Sequence, residues 1–228
     1  SNFVDLYTDE LLSKTDKPLI IATSVVMPEE VQRRLVKYVW KGGRVLLAPV
    51  IPYLDQDFKP CTVLQDFLEG TSVTAFNGNY PRVNIGNTKN IHMNGKIFKD
   101  TGKFDKEILG SEEYTGSILC WKRNFPDNGM VIWLGFEWKY SMHTHREFFQ
   151  YLLKEMGCEE PVVCCKNHNL WTSLRRSGKQ GILFVMNFYS SFQDTDIVIK
   201  EGRRAVAQFN EVKLKPMEVK IFTVDFQE

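Results

Sequence analysis

No stretch of this chain approaches the roughly 18 consecutive apolar residues of a membrane span, and no signal-peptide pattern opens it. Charge of neither sign is in excess. Lys and Arg number 29 against 28 Asp and Glu, which excludes binding to nucleic acid or anionic lipid driven by net charge. Cysteine is sparse and odd in number, at 5, so a disulfide framework is excluded, and no Asn-x-Ser/Thr acceptor occurs. Reduced thiols on such a chain suit a cytoplasmic setting. An initiator Met is missing too. Ser1-Asn2 reads as the remnant of a cleaved tag and "FVDLY" as a strand following at once, so the chain is expected to be a piece of a longer protein.

What is present is ordinary for a globular protein: 228 residues, 43% hydrophobic and 25% charged, enough for one large or two modest domains. "PLIIATSVV" (Pro18 to Val26) is a nearly continuous apolar run, as expected of a strand buried on both faces. The period then changes. Val31, Leu35, Tyr38 and Val39 form one helical stripe, with Glu29 and Glu30 at the positive end of the dipole and Gly42-Gly43 as the stop. "RVLLAPV" is a second buried strand. Strand, helix and strand in so short a span predict a βαβ unit with parallel strands.

Further on, Asn94-Gly95 between "NIHM" and "KIFK" predicts a two-residue hairpin, and "PDNG" links the strands "SILCWKRNF" and "MVIWLGF". "THREFFQYLLKEMG" predicts a second helix, with Thr144 and Glu147 as a capping box and Phe148, Leu152 and Met156 as its apolar stripe. "CEEPVVCCKNHN" reads as a connector. Beyond it, short strands divided by Ser-Gly, Glu-Gly and Lys-Pro turns predict a small antiparallel sandwich.

Chemistry is harder to place. Neither strand end, "ATS" or "APVIP", leads into a Gly-rich phosphate loop, and no Gly-x-Cys-x-Gly elbow exists for a thiol nucleophile. Cys61, beside Lys59 at a helix start, has the setting of an activated thiol, but burial as a small apolar filler is the simpler reading. Cys158, Cys164, Cys165 and His168 invite a zinc reading, yet their spacing matches no common structural site and adjacent cysteines on a strand face opposite ways. His143 and His145 are two apart, off any shared helical face, and suit surface or capping roles. Trp121, Trp133 and Trp138 suit sugar stacking or, more simply, core packing. The carboxylates of "SEEY" and "CEEP" read as solvated loops rather than an acid–base pair. No catalytic, cofactor-binding or metal residue is therefore expected, and no cofactor.

"LVKYVWKGGRVLLAPVIPYLDQDFKPCTVLQDFL" resembles the segment that follows the catalytic barrel in bacterial β-galactosidases of glycoside hydrolase family 35, with a related domain in family 42. Ile51, Pro52 and Asp55, followed by Pro60 to Leu64, are its more specific residues. Val131 to His145 resembles the last strand and last helix entry of that domain, and "LKPMEVKIFTV" the closing sandwich, whereas Arg82 to Glu107 fits no pattern of the family. The resemblance implies an α/β fold: a flavodoxin-like or class I glutamine amidotransferase-like parallel sheet with flanking helices in residues 1–159, then a small antiparallel β-sandwich in 160–228. The family's catalytic glutamates belong to a (β/α)8 barrel of about 250 residues, for which there is no room here.

Two classes of function compete. In the first, the chain is the non-catalytic carboxyl-terminal part of a β-galactosidase-like hydrolase. It would support the barrel, the assembly of a homo-oligomer or the rim of a galactoside site, with no nucleic acid or membrane partner. The second is a free-standing amidotransferase-like thiol enzyme, which the absent elbow disfavours. A carbohydrate-binding module using the tryptophans is a further alternative.

Overall fold

The structure is a computed structural model that describes residues 4–8, 15–69, 71, 73–78, 81–139, 143–158, 162–202 and 204–226. Ser1, Asn2, the first residue of "FVDLY", and Glu159 and Glu160 of the connector lie outside them, as does the His143 side chain. Residues 4–8 form a turn, not the expected strand. The chain divides into two compact units, Ser1–Cys158 and Glu159–Glu228.

The first unit opens with β1 (Leu19–Ala22), α1 (Glu29–Trp40) and β2 (Arg44–Ala48), and β1 and β2 pair in parallel from Leu19↔Val45 to Ala22↔Ala48. Helix α1 carries Glu29–Arg33 and Glu30–Arg34 ion pairs at the i, i+4 spacing that suits a helix surface. Its stop depends on glycine: Gly42 has φ +88°, and a Cβ there would sit 2.4 Å from the Asp127 carbonyl oxygen. Residues of β2 alternate between two cores. Val45 and Leu47 join Val31, Leu35, Tyr38 and Val39 of α1, whereas Leu46 and Ala48 face the opposite cluster.

The parallel pattern stops there. After the five-residue α2 (Val63–Phe67) come β3 (Val73–Ala75), β4 (Arg82–Ile85), β5 (Thr88–His92), β6 (Asn94–Asp100), β7 (Glu107–Glu112) and β8 (Ile118–Asn124) with no helix between them. Then β9 (Met130–Leu134) returns to pair in parallel with β2 and antiparallel with β8. The sheet runs β1-β2-β9-β8-β7-β4-β5, and β6 lies off this path, pairing with β3, β8 and the short β10 (Phe136–Glu137). Helix α3 (His143–Glu155) places Phe148, Leu152 and Met156 in the second core.

This corrects the expected fold. Of the described residues 47% are strand and 16% helix, a curled mixed sheet with antiparallel sheets rather than a flavodoxin-like or amidotransferase-like α/β layer. The βαβ start is real, but a doubly wound fold needs a helical crossover after each strand. Here the crossover from β2 to β9 is an excursion of antiparallel strands through the region Arg82 to Glu107. The hairpin was misplaced as well. The turn at Gly86-Asn87 joins β4 and β5, with Val83 opposite Ile91, whereas Gly95 lies within β6 beside a pairing irregularity with β10. Thr144 falls inside α3, one residue past its first, so it is not the N-cap.

The second unit packs two three-stranded antiparallel sheets. One is β11 (Val163–Cys165), β14 (Gln193–Glu201) and β15 (Arg204–Leu214). The other is β12 (Leu170–Ser177), β13 (Gln180–Asn187) and β16 (Val219–Asp225). Inward-facing Leu183, Val185, Ile197, Ile199, Leu214 and Val224 form their shared core.

Candidate functional site

Ligands of sheets with parallel strands tend to lie beyond the carboxyl ends of those strands. A recess of about 450 Å³ occupies that position, lined by Thr23, Ser24, Met27, Pro49, Glu137 and Trp138 among others. The polar groups of its floor are turned into the frame. Thr23 donates its backbone N–H to the Ala48 carbonyl (2.6 Å) and its hydroxyl to the Val50 carbonyl (2.5 Å), and Trp133 Nε1 donates to the Pro49 carbonyl (3.1 Å). Three consecutive carbonyls after β2 are thus occupied. The loops after β1 and β2 are laced together as well, with the N–H groups of Tyr53 and Leu54 both donating to the Val25 carbonyl at 3.0 Å. This is a well-satisfied strand end with little left to present to a reacting group.

Of the outward-facing groups in the recess, the Ser24 hydroxyl is closed on its own loop, donating to the Val26 carbonyl (2.8 Å) and accepting from the Val26 N–H (3.1 Å), and the others are aromatic and acidic. The Trp138 ring stacks on Phe149, with centroids 5.1 Å apart and planes 20° from parallel. Glu137 is exposed beside it. An aromatic supported on one side and a nearby carboxylate are groups that pack on and hydrogen-bond to a sugar ring.

The motif residues shared with the resemblance are structural. Ile51 is fully buried, and Asp55 Oδ1 accepts from the backbone N–H groups of Asp57 (2.8 Å) and Lys59 (2.9 Å). Cys61 is buried just before α2, with its N–H donating to the Tyr53 carbonyl at 2.9 Å. Cys158 lies in the first unit, where burial pushes its thiol pKa up, while Cys164 and Cys165 are on β11 in the second. Cys165 Sγ lies 3.3 Å from the Thr195 hydroxyl. Among the described residues, no group of three or more His, Cys, Asp or Glu is placed to hold a metal. Trp121 and Trp133 are fully buried core residues.

Two expectations about polar residues are overturned. His145 is neither a surface nor a capping residue. It is buried, its Nδ1 accepting from the Lys139 N–H (2.8 Å) and its Nε2 donating to the His92 carbonyl (2.7 Å), so the imidazole is neutral, and burial lowers its pKa. Glu112 of "SEEY" is buried too. Burial alone would raise its carboxyl, but hydrogen bonds from the Thr115 N–H and hydroxyl and the Tyr114 N–H outweigh that and lower it. Glu159 and Glu160 of "CEEP" lie outside the described residues.

Sequence reasoning missed further polar links. Gln32 is fully buried on α1, donating to the Met27 carbonyl (2.9 Å) and accepting from the Leu64 N–H (3.3 Å). Lys122 joins Glu107 (2.9 Å) on β7 and Glu155 (2.6 Å) on α3. Polar residues on apolar stripes were the available signal.

With this geometry in hand, the comparisons with known proteins are informative. Residues 2–103 match the family described as "GLMA-like, second domain". The chain is 30% identical over 149 residues to an exo-β-D-glucosaminidase of Pyrococcus horikoshii, which covers 60% of this chain and 18% of that enzyme. It is 24% identical over 227 residues to a β-1,2-glucosyltransferase of Ignavibacterium album, covering 96% of this chain and 30% of the relative. The chain therefore spans less than a third of the length of either. In fold it is similar to part of a β-galactosidase from Rahnella sp. R3, with TM-score 0.73, 14% identity, and 98% of this chain against 34% of that one. It is also similar to part of Gan42B, a GH42 β-galactosidase from G. stearothermophilus, with TM-score 0.69, 17% identity, and 92% against 32%. These likenesses support the glycoside hydrolase part of the resemblance and leave its family-35 and amidotransferase specifics unsupported. No helix among the described residues is long and apolar enough to cross a membrane.

Proposed function

We propose that this chain is a non-catalytic accessory part of a glycoside hydrolase, packing against a catalytic (β/α)8 barrel and supporting it or its subunit assembly. Residues 1–159 and 160–228 act as its two domains. The observation that carries this reading is the strand end after β2, where three successive carbonyls are consumed inside the frame and the Ser24 hydroxyl is bonded to Val26 of its own loop rather than to a base. The likeness to parts of longer carbohydrate-active enzymes supports it. The purified chain is expected to hydrolyse neither an aryl β-galactoside nor an aryl β-glucosaminide. Turnover that co-purifies with the chain sinks the reading. The assembly role is tested by sedimentation of the longer polypeptide with and without residues 1–157. Identical subunit counts and equal activity remove that role.

A second reading, contact with sugar at the rim of an active site, is favoured by Trp138 and Glu137 in the recess. Titration with galactose and with glucosamine, followed by tryptophan fluorescence, is expected to give a saturable change that Trp138→Ala abolishes. A flat titration removes this reading and leaves the first intact.

A further inference from the structure

The two outer sheet faces of the second unit differ in chemistry. On the β11-β14-β15 sheet most outward positions are polar, among them Asp194, Asp196, Lys200, Gln208 and Lys213, with Val198, Cys164 and Ala205 the small apolar exceptions, while Thr195, Ile197 and Ile199 point inward. On the β12-β13-β16 sheet, strand register sets four rows of three side chains outward, and the last, Ser177, Gln180 and Asp225, is polar. The first is Trp171, Met186 and Val219; Phe184 and Ile221 share the second; and Ile182 lies in the third. Six of the nine positions in the first three rows are apolar and one, Arg175, is charged. Trp171 is 61% exposed and Ile221 63%.

The composition narrows what covers this face. A sugar platform needs rings lying flat together, but Trp171 meets Phe188 edge-on at 76°, and most of the other side chains are aliphatic. One cation in nine suits neither phosphate backbones nor anionic lipid. An apolar protein surface remains. Its size narrows the choice again. Three strands and three rows span roughly 14 by 20 Å, on the order of 300 Å². A freely diffusing partner, a second copy included, needs about 800 Å² from each side. A segment tethered in the same polypeptide acts at an effective concentration near the millimolar range and needs far less. This chain covers only 18% and 30% of two matched relatives, so such a segment is what their architecture supplies.

We infer that the outer face of β12-β13-β16 is the docking surface for another segment of the same, longer polypeptide. In the reading proposed above, on which this inference rests, that segment is the catalytic barrel.

Hydroxyl-radical footprinting of the longer polypeptide and of the 228-residue chain tests it, with free N-acetyl-tryptophanamide as the dose standard. Trp171 should be oxidised about tenfold or more slowly in the longer polypeptide than in the 228-residue chain, the ratio for a face open less than a tenth of the time. The protection should not change on dilution, and Ile221→Lys in the longer polypeptide should remove it. Equal reactivity of Trp171 in the two proteins overturns the inference, as does protection already present in the 228-residue chain or protection lost on dilution, the sign of a second copy. A gene encoding no further segment overturns it too. Assay of the longer polypeptide on aryl glycosides separates the two readings. Hydrolysis with an open Trp171 sinks the docking surface alone, whereas a protected Trp171 without hydrolysis sinks the glycoside hydrolase reading alone.

Discussion

The two units solve the same problem differently. In the first, the central sheet is covered on both faces, by α1 and α2 on one side and α3 on the other, and β2 is buried nearly end to end. In the second, each sheet covers the other, and each keeps an outer face. A strand with one wet face should alternate apolar and polar residues. Strand β14 does so at Asp194, Asp196 and Lys200, with Val198 the one apolar residue on that face, whereas β13 sets Ile182, Phe184 and Met186 outward. The difference teaches that an apolar run alone does not report burial within a chain. In β2 it reports a core, and in β13 a surface in want of a partner.

The comparison breaks first at the core. Trp133 is fully buried between β2 and β8 and anchors the Pro49 carbonyl. Trp133→Ala should cost about 3–5 kcal/mol in urea unfolding of the first unit, by cavity formation plus a stranded carbonyl. A cost under about 1 kcal/mol would show that this strand end is not the rigid frame described here.

Acid should weaken the first unit next. The folded pKa of His145 lies below its ordinary value of 6.5, with burial as the main cause. The unfolded chain therefore binds the proton more readily. The stability His145 contributes is complete above about pH 6.5 and is lost as pH falls towards its folded pKa, by up to about 1.4 kcal/mol per pH unit. His145→Gln should flatten that window. An unchanged slope between pH 7 and pH 5 in the variant, measured by urea midpoints, assigns the acid sensitivity elsewhere. Glu112→Ala should cost less, about 1–2 kcal/mol, since its donors lie near the surface and find water.

Legibility from sequence followed the same division. The β1-α1-β2 unit was readable because its signals are local: an unbroken apolar run, a 3.6-residue stripe ending at Val39, and a glycine stop at a position no other residue fits. The β8-β9 hairpin was readable from "PDNG", where Asp127 and Asn128 adopt positive φ. What failed is non-local. Nothing near Leu134 announces that β9 pairs in parallel with β2, more than eighty residues earlier. Asn94-Gly95 carries a hairpin signature, yet β6 pairs with β3, β8 and β10 and not with β5. At the candidate site, the absence of a nucleophile elbow was legible as a missing motif. The hydrogen bonds that Thr23 makes to Ala48 and Val50 were not, because a threonine at a strand end has no pattern that distinguishes it.

The smallest expected effect sharpens the comparison most. Ile221 and Phe222 are neighbours on β16, one pointing out and 63% exposed, the other partly buried against the shared core and tilted on Phe209 at 4.6 Å between centroids. By composition the two are alike, and only the pleat separates them. In the 228-residue chain, Phe222→Ala should destabilise the second unit by about 2 kcal/mol, below the roughly 3–5 kcal/mol of a fully buried ring because part of it is already wet. Ile221→Ser should stay within about 0.5 kcal/mol of the parent, since shortening an exposed side chain leaves no cavity. In a longer polypeptide whose other segment covers the face, the same Ile221→Ser change should cost about 1–3 kcal/mol, the value of a buried aliphatic side chain. Urea unfolding of both variants in both contexts gives the four numbers. A large cost for Ile221→Ser in the 228-residue chain would mean that its outer face is already packed, and the contrast between a closed first unit and an open second one would fall.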